Sequence, residues 1–126
     1  MPITVGLVGE QTTTVAENLI ATTFGSGSLP VYATPALIAL MEAASVAAIN
    51  HLLSSDQTSV GTFISVKHLT ASALGQTIHA RAEVTEINDR QVTFTLQAWD
   101  SKQLIGEGTH TRFIVDIERF MKRLNS

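Results

Sequence analysis

The sequence contains no cysteine. A disulfide framework, a thiolate zinc site and a cysteine nucleophile are therefore all excluded. Basic residues are also few, since eight lysines and arginines stand against eleven aspartates and glutamates, for a formal net charge of −3. Because no basic field is available to hold a phosphate backbone, we expect no nucleic-acid binding.

Charge of either sign is scarce. Charged residues make up 15% of the chain, whereas about 25% is typical of soluble domains. Hydrophobic residues make up 44% of the 126 residues, which is enough for a core, excludes disorder and predicts one domain over residues 1–126. So little charge on a small protein indicates that part of its surface is hidden against another copy. We therefore expect a homodimer, or a tetramer.

The sequence also lacks a long hydrophobic run. The longest apolar segment, 36–48, is interrupted by Glu42 and Ser45 and is far shorter than the ~20 residues of a membrane-spanning helix. Residues 1–4 do not begin the basic and then apolar pattern of a signal peptide. We therefore expect no membrane insertion and a cytoplasmic location.

One long apolar helix is predicted at residues 34–53, after a turn-rich segment at 24–30. Thr34 is a good N-cap, and Pro35 suits the first helical position. Apolar or small residues occupy nearly the whole circumference of the helix. This pattern predicts a helix that is buried on most sides.

The rest of the chain alternates between apolar and polar residues, as strands do. The predicted strands lie within 3–15 and at 60–71, 77–87, 91–98 and 103–115. Short turns between the last three predict antiparallel hairpins. This order predicts an α+β hotdog fold, in which a curved antiparallel sheet of about five strands wraps a long central helix. Open edge strands favour pairing of the sheets of two subunits.

A short helix at 116–124 is predicted to end the chain, with Asp116 as its cap. Its three apolar residues at helical spacing, Ile117, Phe120 and Leu124, are expected to face inward.

Glu42 is the only charged residue between Pro35 and Asn50. An ionised carboxylate in such a helix is costly unless it is paired, which makes Glu42 a candidate acid–base group. Alternatively, it lies at the helix edge and reaches solvent or a dimer neighbour. His68 lies on the predicted apolar strand face and is a second candidate for proton transfer, unless a backbone carbonyl satisfies it in the core. A contact between Glu42 and His68 across the helix–sheet layer would favour catalysis.

Thr34 and Gly61 are weaker candidates. The Thr34 hydroxyl either caps the helix or holds a water or a carboxylate. Thr34 and Glu42 are eight residues apart, about 12 Å of helix rise, so a shared reaction centre requires a late helix start, a long substrate or a second subunit. Gly61 either presents its backbone amide to a ligand carbonyl or forms a bend where the strand begins.

The other histidines give no clear signal. His79 shares a polar face with Arg81 and Glu83, which predicts a solvated role, whereas His110 and Arg112 remain ambiguous. The four histidines lack metal-ligand spacing, so we predict no metal site.

Four segments, taken in order, resemble hotdog-fold acyl-CoA thioesterases of the fluoroacetyl-CoA thioesterase-like family. They are residues 25–35 (GSGSLPVYATP), 39–42 (ALME), 60–62 (VGT) with 66–69 (VKHL), and 105–112 (IGEGTHTR). The resemblance implies a catalytic threonine, glutamate and histidine at Thr34, Glu42 and His68. It also implies that Gly61 lies near the substrate carbonyl.

The resemblance further implies hydrolysis of an acyl-CoA thioester to a free acid and coenzyme A at a homodimer interface. Glu42 and His68 would activate water, Thr34 would orient the glutamate or the water, and no cofactor is implied beyond the coenzyme A of the substrate. A covalent anhydride at Glu42 is an alternative. Two other functions remain open: a non-catalytic acyl-CoA-binding hotdog module, and a hotdog hydratase or dehydratase.

The acyl group is predicted to be short or medium in length. The family's namesake narrows its pocket with a lid that carries phenylalanines. In the corresponding segment, 17–31, Phe24 is the only aromatic residue.

Overall fold

A long helix packs against a curled, five-stranded antiparallel sheet in the computed structural model, which describes residues 2–126. The strand order is β1–β3–β4–β5–β2, so β1 and β2 form the edges. The strands are β1 (Val8–Thr14), β2 (Gln57–His68), β3 (Thr77–Asn88), β4 (Gln91–Trp99) and β5 (Leu104–Asp116). The helices are α1 (Ala21–Phe24), α2 (Thr34–Ile49) and α3 (Ile117–Leu124), with 3₁₀ turns at Glu17–Leu19 and Asn50–Leu52.

The predicted hotdog fold is confirmed, and the differences lie at element ends. The α-helical part of α2 ends at Ile49, and the predicted remainder is the 3₁₀ turn. Strand β2 begins at Gln57 and ends at His68, so it is shifted by three residues from the predicted range of 60–71. The shift follows from its pairing with β5, which starts with Gln57 opposite Asp116.

The core lies between α2 and the sheet. Alternate residues of β3 and β4 are completely buried, as the period-two pattern predicts: Ile78, Ala80, Ala82, Val84, Val92, Phe94, Leu96 and Ala98. Helix α2 lies so close to β1 that a side chain at Gly9 would overlap the backbone of Ala44 and Ala48. A glycine is therefore required where the helix crosses the edge strand.

Helix α2 and its 3₁₀ extension, Thr34–Leu52, are long and apolar enough to span a membrane by length and composition alone. In this fold the apolar composition of the helix is explained by burial in the core. Residues such as Leu37 and Met41 are completely buried in the core, while Ala39 and Ala43 are exposed on the opposite side.

Helix α3 differs from the prediction. Ile117 and Leu124 are exposed, Leu124 by 63%, rather than facing inward. Asp116 precedes the helix, but its side chain does not cap it. The carboxylate instead lies 3.6 Å from Arg90 and 3.7 Å from Arg119. Phe120, the third residue predicted to face inward, is half-buried.

Candidate functional site

The sequence predicted Thr34 to be the N-cap of α2, and this prediction is wrong. Thr34 is the first residue of the helix. The N-cap is Ala33, whose carbonyl accepts the amide of Leu37 at 3.0 Å. The Thr34 hydroxyl lies instead 2.7 Å from Nδ1 of His68, the last residue of β2. The contact with His68 replaces the expected contact with the helix backbone.

His68 has the properties of a proton acceptor. Burial lowers the pKa of the imidazole below its ordinary value near 6.5, so the ring is neutral at neutral pH. Its Nδ1 contacts a hydroxyl rather than the backbone carbonyl of the alternative interpretation. Its Nε2 is buried and has no hydrogen-bond partner among residues 2–126. When Nδ1 carries the proton and donates to the Thr34 hydroxyl, the lone pair of Nε2 is suited to accept a proton from water.

The Thr34–His68 pair lines an open cavity of about 370 Å³. Most of the cavity wall comes from the segment before α2 and from the residues that follow β2. The residues that line it are Ala21, Ser26, Gly27, Ser28, Leu29, Val31, Tyr32, Thr34, His68, Leu69, Thr70 and Ala71. Among these, Tyr32 is the only aromatic residue apart from His68.

Glu42 lies at a second centre, where its partners within the same chain are Arg112 and His110 rather than His68. Its carboxylate is 3.4 Å from Nη1 of Arg112 on β5. The Arg112 guanidinium is nearly buried, and it donates from Nε to Ser59 Oγ at 2.8 Å and from Nη2 to the Ser59 carbonyl at 2.9 Å. The Glu42 side chain remains 41% exposed. Glu42 is therefore a paired carboxylate that is held on one side and open on the other.

His110 supports this arginine as a neutral ring. Its Nδ1 lies 2.8 Å from the Phe63 carbonyl, and its Nε2 lies 3.2 Å from Nη1 of Arg112. Arginine can only donate, so Nε2 accepts and Nδ1 carries the proton. Burial lowers the pKa of His110, and the charge of Arg112 lowers it further. The 3.8 Å approach of His110 to Glu42 is therefore not an ion pair at neutral pH.

Gly61 belongs to the Glu42 centre. A Cβ at this position would lie 2.8 Å from Glu42 Oε2 and 3.2 Å from Cε1 of His110. The pairing of β2 with β5 shifts between Gly61 and Phe63, so the glycine lies at a bulge, where a strand bends and its ladder is interrupted. The bend is therefore inside the strand and not at its beginning. A side chain at this position would therefore require the Glu42 carboxylate to shift.

The two centres are separated within one chain. Thr34 and Glu42 are eight residues apart on α2, about 12 Å of rise. Gly61 and His68 are seven residues apart on β2, about 23 Å of strand. In the described chain a hydrogen bond joins Thr34 to His68, and an ion pair joins Glu42 to Arg112, with His110 close by. Each centre is therefore half of the predicted catalytic set.

Sequence reasoning missed the supporting roles of Ser59, His110 and Arg112. The available signal was their spacing, because Gly106, Gly108, His110 and Arg112 are alternate residues of β5 and lie on one face of the strand. The prediction for His79 agrees with its exposed position, where its ring nitrogens lie 3.3 Å from Glu10 and 3.2 Å from Thr12. Residues 2–126 contain no cluster of three or more histidines or carboxylates that could hold a metal ion.

Comparison with protein families adds a direct match. Residues 15–118 match the profile of the family described as fluoroacetyl-CoA-specific thioesterase, FlK. The fluoroacetyl-CoA thioesterase of Streptantibioticus cattleyicolor is 36% identical over 90 residues. This alignment covers 71% of the present chain and 65%, just under two thirds, of the relative's length.

Several solved structures superpose on nearly the whole of this chain. The fluoroacetyl-CoA thioesterase FlK superposes with a TM-score of 0.91 at 28% identity, covering 99% of this chain and 97% of that one. A mutant of FlK in complex with acetyl-CoA gives 0.90 at 27% identity, covering 97% and 96%. A thioesterase superfamily member from Thermus thermophilus gives 0.89 at 23% identity, covering 98% and 94%, and supports the fold alone.

Proposed function

The chain belongs to the family of fluoroacetyl-CoA-specific thioesterases, and from that premise we propose that it hydrolyses an acyl-CoA thioester to a free acid and coenzyme A. The observation that carries the proposal is a neutral histidine, His68, oriented by Thr34 on the wall of a cavity. The S. cattleyicolor relative bears the name of this activity. Thioester hydrolysis needs a proton acceptor, a nucleophile and a donor for the developing oxyanion.

In the proposed reaction, His68 Nδ1 carries a proton and donates it to the Thr34 hydroxyl, which leaves Nε2 free to act as a base. Nε2 takes a proton from water as the water oxygen attacks the thioester carbonyl. The tetrahedral intermediate then collapses, its C–S bond breaks, and the coenzyme A thiolate takes the proton back from the imidazolium. The Gly61 amide polarises the carbonyl, and the carboxylate of Glu42 orients the water. No cofactor is needed beyond the coenzyme A of the substrate.

The proposal includes a homodimer in which Glu42 and Gly61 of one copy face Thr34 and His68 of the other. Three observations support it. The two centres are apart within one chain, both Gly61 and His68 lie on β2, and β2 is an open edge of the sheet. Phe63 on the same strand is 56% exposed. Joining two edge strands would cover this residue and satisfy the unpaired backbone groups.

The proposed substrate carries a short or medium acyl group. The cavity beside His68 is lined by Ser26, Gly27 and Ser28, small residues that do not restrict it to a two-carbon group. FlK, the namesake, is described as fluoroacetyl-CoA-specific, and that selectivity is not proposed for this chain.

A thiol-release assay over a panel of acyl-CoAs tests the activity. We expect release of free coenzyme A from at least one short or medium acyl-CoA. If calorimetry detects acyl-CoA binding without any thiol release, the protein is the non-catalytic binding module instead. Hydration of an enoyl-CoA without thiol release would establish the hydratase alternative.

Subunit mixing tests the shared site. Glu42→Gln and His68→Ala homodimers are each expected to be nearly inactive. When the two variants are unfolded and refolded together, half of the dimers are heterodimers, and each of these contains one site with neither substitution. Activity should then return to about a quarter of the wild-type value, as expected for a two-fold symmetric interface. If Glu42 and His68 of the same chain act together, every heterodimer site carries one substitution and no activity returns.

A further inference from the structure

Tyr32 lies immediately before α2 and is fixed on both sides. Its amide donates to the Ser72 carbonyl at 2.9 Å, and the neighbouring amide of Ala33 donates to the Leu19 carbonyl at 2.9 Å. Bridges from Tyr32 to Ile20 and from Val31 to Ala73 complete a small three-stranded arrangement. Backbone bonds to two separate segments make this stretch a rigid wall rather than a mobile lid.

The Tyr32 side chain is inside the protein and beside the candidate base. The residue is 2% exposed, and its ring meets the His68 ring edge-on with the centroids 6.4 Å apart. Burial raises the pKa of Tyr32 to about 12, so the phenol remains neutral at physiological pH. The ring is therefore a neutral, fixed body next to the proposed reaction centre.

Tyr32 lines two different cavities. One is the 370 Å³ cavity that contains Thr34 and His68. The other, of about 240 Å³, is a groove along α2 with an almost entirely apolar lining: Thr13, Leu19, Tyr32, Ala36, Ala39, Leu40 and Ala43. Within residues 2–126, Tyr32 alone lines both. A hydrocarbon chain that passed this position would leave the catalytic cavity and enter a surface well suited to methylene groups.

We infer that Tyr32 is the specificity-determining residue that ends the acyl pocket and holds the enzyme to shorter acyl groups. This inference rests on the proposed thioester hydrolysis, because it assumes that the acyl group lies in the cavity beside His68. Beyond the ring, the α2 groove is an unused extension of that pocket. Its apolar side chains would accept a longer chain once the ring is removed.

Two substitutions of different size test the inference. Tyr32→Ala is expected to raise the ratio of kcat/KM for octanoyl-CoA to that for acetyl-CoA by about tenfold or more, since even one methylene that gains an apolar contact contributes about tenfold. Tyr32→Leu keeps more of the buried volume and should give a smaller rise in the same direction. Tyr32→Phe keeps the ring and should leave the ratio unchanged. Circular dichroism melting checks that each variant is folded, and Tyr32→Leu carries the test if Tyr32→Ala does not fold.

A binding measurement separates this inference from the proposed function. Calorimetry with non-hydrolysable thioether analogues of acetyl-CoA and octanoyl-CoA gives the chain-length preference without turnover. If wild type releases no thiol but the two smaller variants gain affinity for the longer analogue, the proposed hydrolysis fails and the pocket assignment stands. If both variants fold and neither the kinetic nor the binding ratio changes, Tyr32 does not end the acyl pocket.

Discussion

Replacing His68 with alanine is expected to lower kcat/KM for acyl-CoA hydrolysis by about 10²-fold or more, the usual contribution of a positioned general base. The reason is specific to the Nε2 atom. It is buried without a hydrogen-bond partner in the described chain, while Nδ1 is held 2.7 Å from the Thr34 hydroxyl. Steady-state thiol release by the purified variant provides the measurement.

The matched control is His79→Ala, which removes an exposed imidazole paired with Glu10 and should leave kcat/KM unchanged. A pH profile gives an independent readout. Because burial lowers the pKa of His68 below 6.5, its neutral, basic form persists to mildly acidic pH. The acid limb of wild-type kcat/KM should therefore lie below pH 6.5 and disappear in His68→Ala. Full activity in His68→Ala would contradict the assignment.

The fold was predictable where one face of an element is buried. The alternation in β3 and β4 marks every completely buried residue from Ile78 to Ala98, because register on a half-buried sheet is set by that pattern. It was less predictable at the ends of β2, where pairing with β5 rather than hydrophobicity decides the limits. The prediction that the apolar residues of helix α3 face inward was wrong for a related reason. Their helical spacing defines an apolar stripe, but it does not show whether another element packs on that stripe.

The site was predictable residue by residue, but its contacts were not. An isolated charge in an apolar helix marks Glu42 as a group that needs a partner. Its partner, Arg112, lies 70 residues away in the sequence on another element. A local sequence pattern cannot predict a contact between residues so far apart. Thr34 shows the same limit, because the sequence favours a local helix cap and the fold supplies His68 instead. Tertiary contacts therefore override the local preference at both centres.

Replacing Glu42 with glutamine is expected to lower kcat by about 10²-fold with little change in stability. Glutamine retains an oxygen that accepts from Arg112, so the geometry of the centre is preserved, but the negative charge that we propose orients the water is lost. Glu42 is 41% exposed and lies 3.4 Å from the guanidinium, so the lost ion pair should change the free energy of unfolding by less than about 1 kcal/mol. Thiol release and urea denaturation on the same sample measure the two effects.

Arg112→Met separates the two roles of this centre. The guanidinium donates to the Ser59 carbonyl at 2.9 Å and to His110 Nε2 at 3.2 Å, and each buried acceptor left without a donor costs about 1–3 kcal/mol. This variant should therefore lose both stability and activity, because the Glu42 carboxylate loses the guanidinium that holds it. Arg81→Met, which breaks a half-exposed pair with Glu83, is the control and should change neither.

Unaltered turnover in Glu42→Gln would remove the carboxylate from the mechanism. Low activity with wild-type stability in Glu42→Gln, beside losses of both in Arg112→Met, would identify Glu42 as the acting group and Arg112 as the residue that positions it.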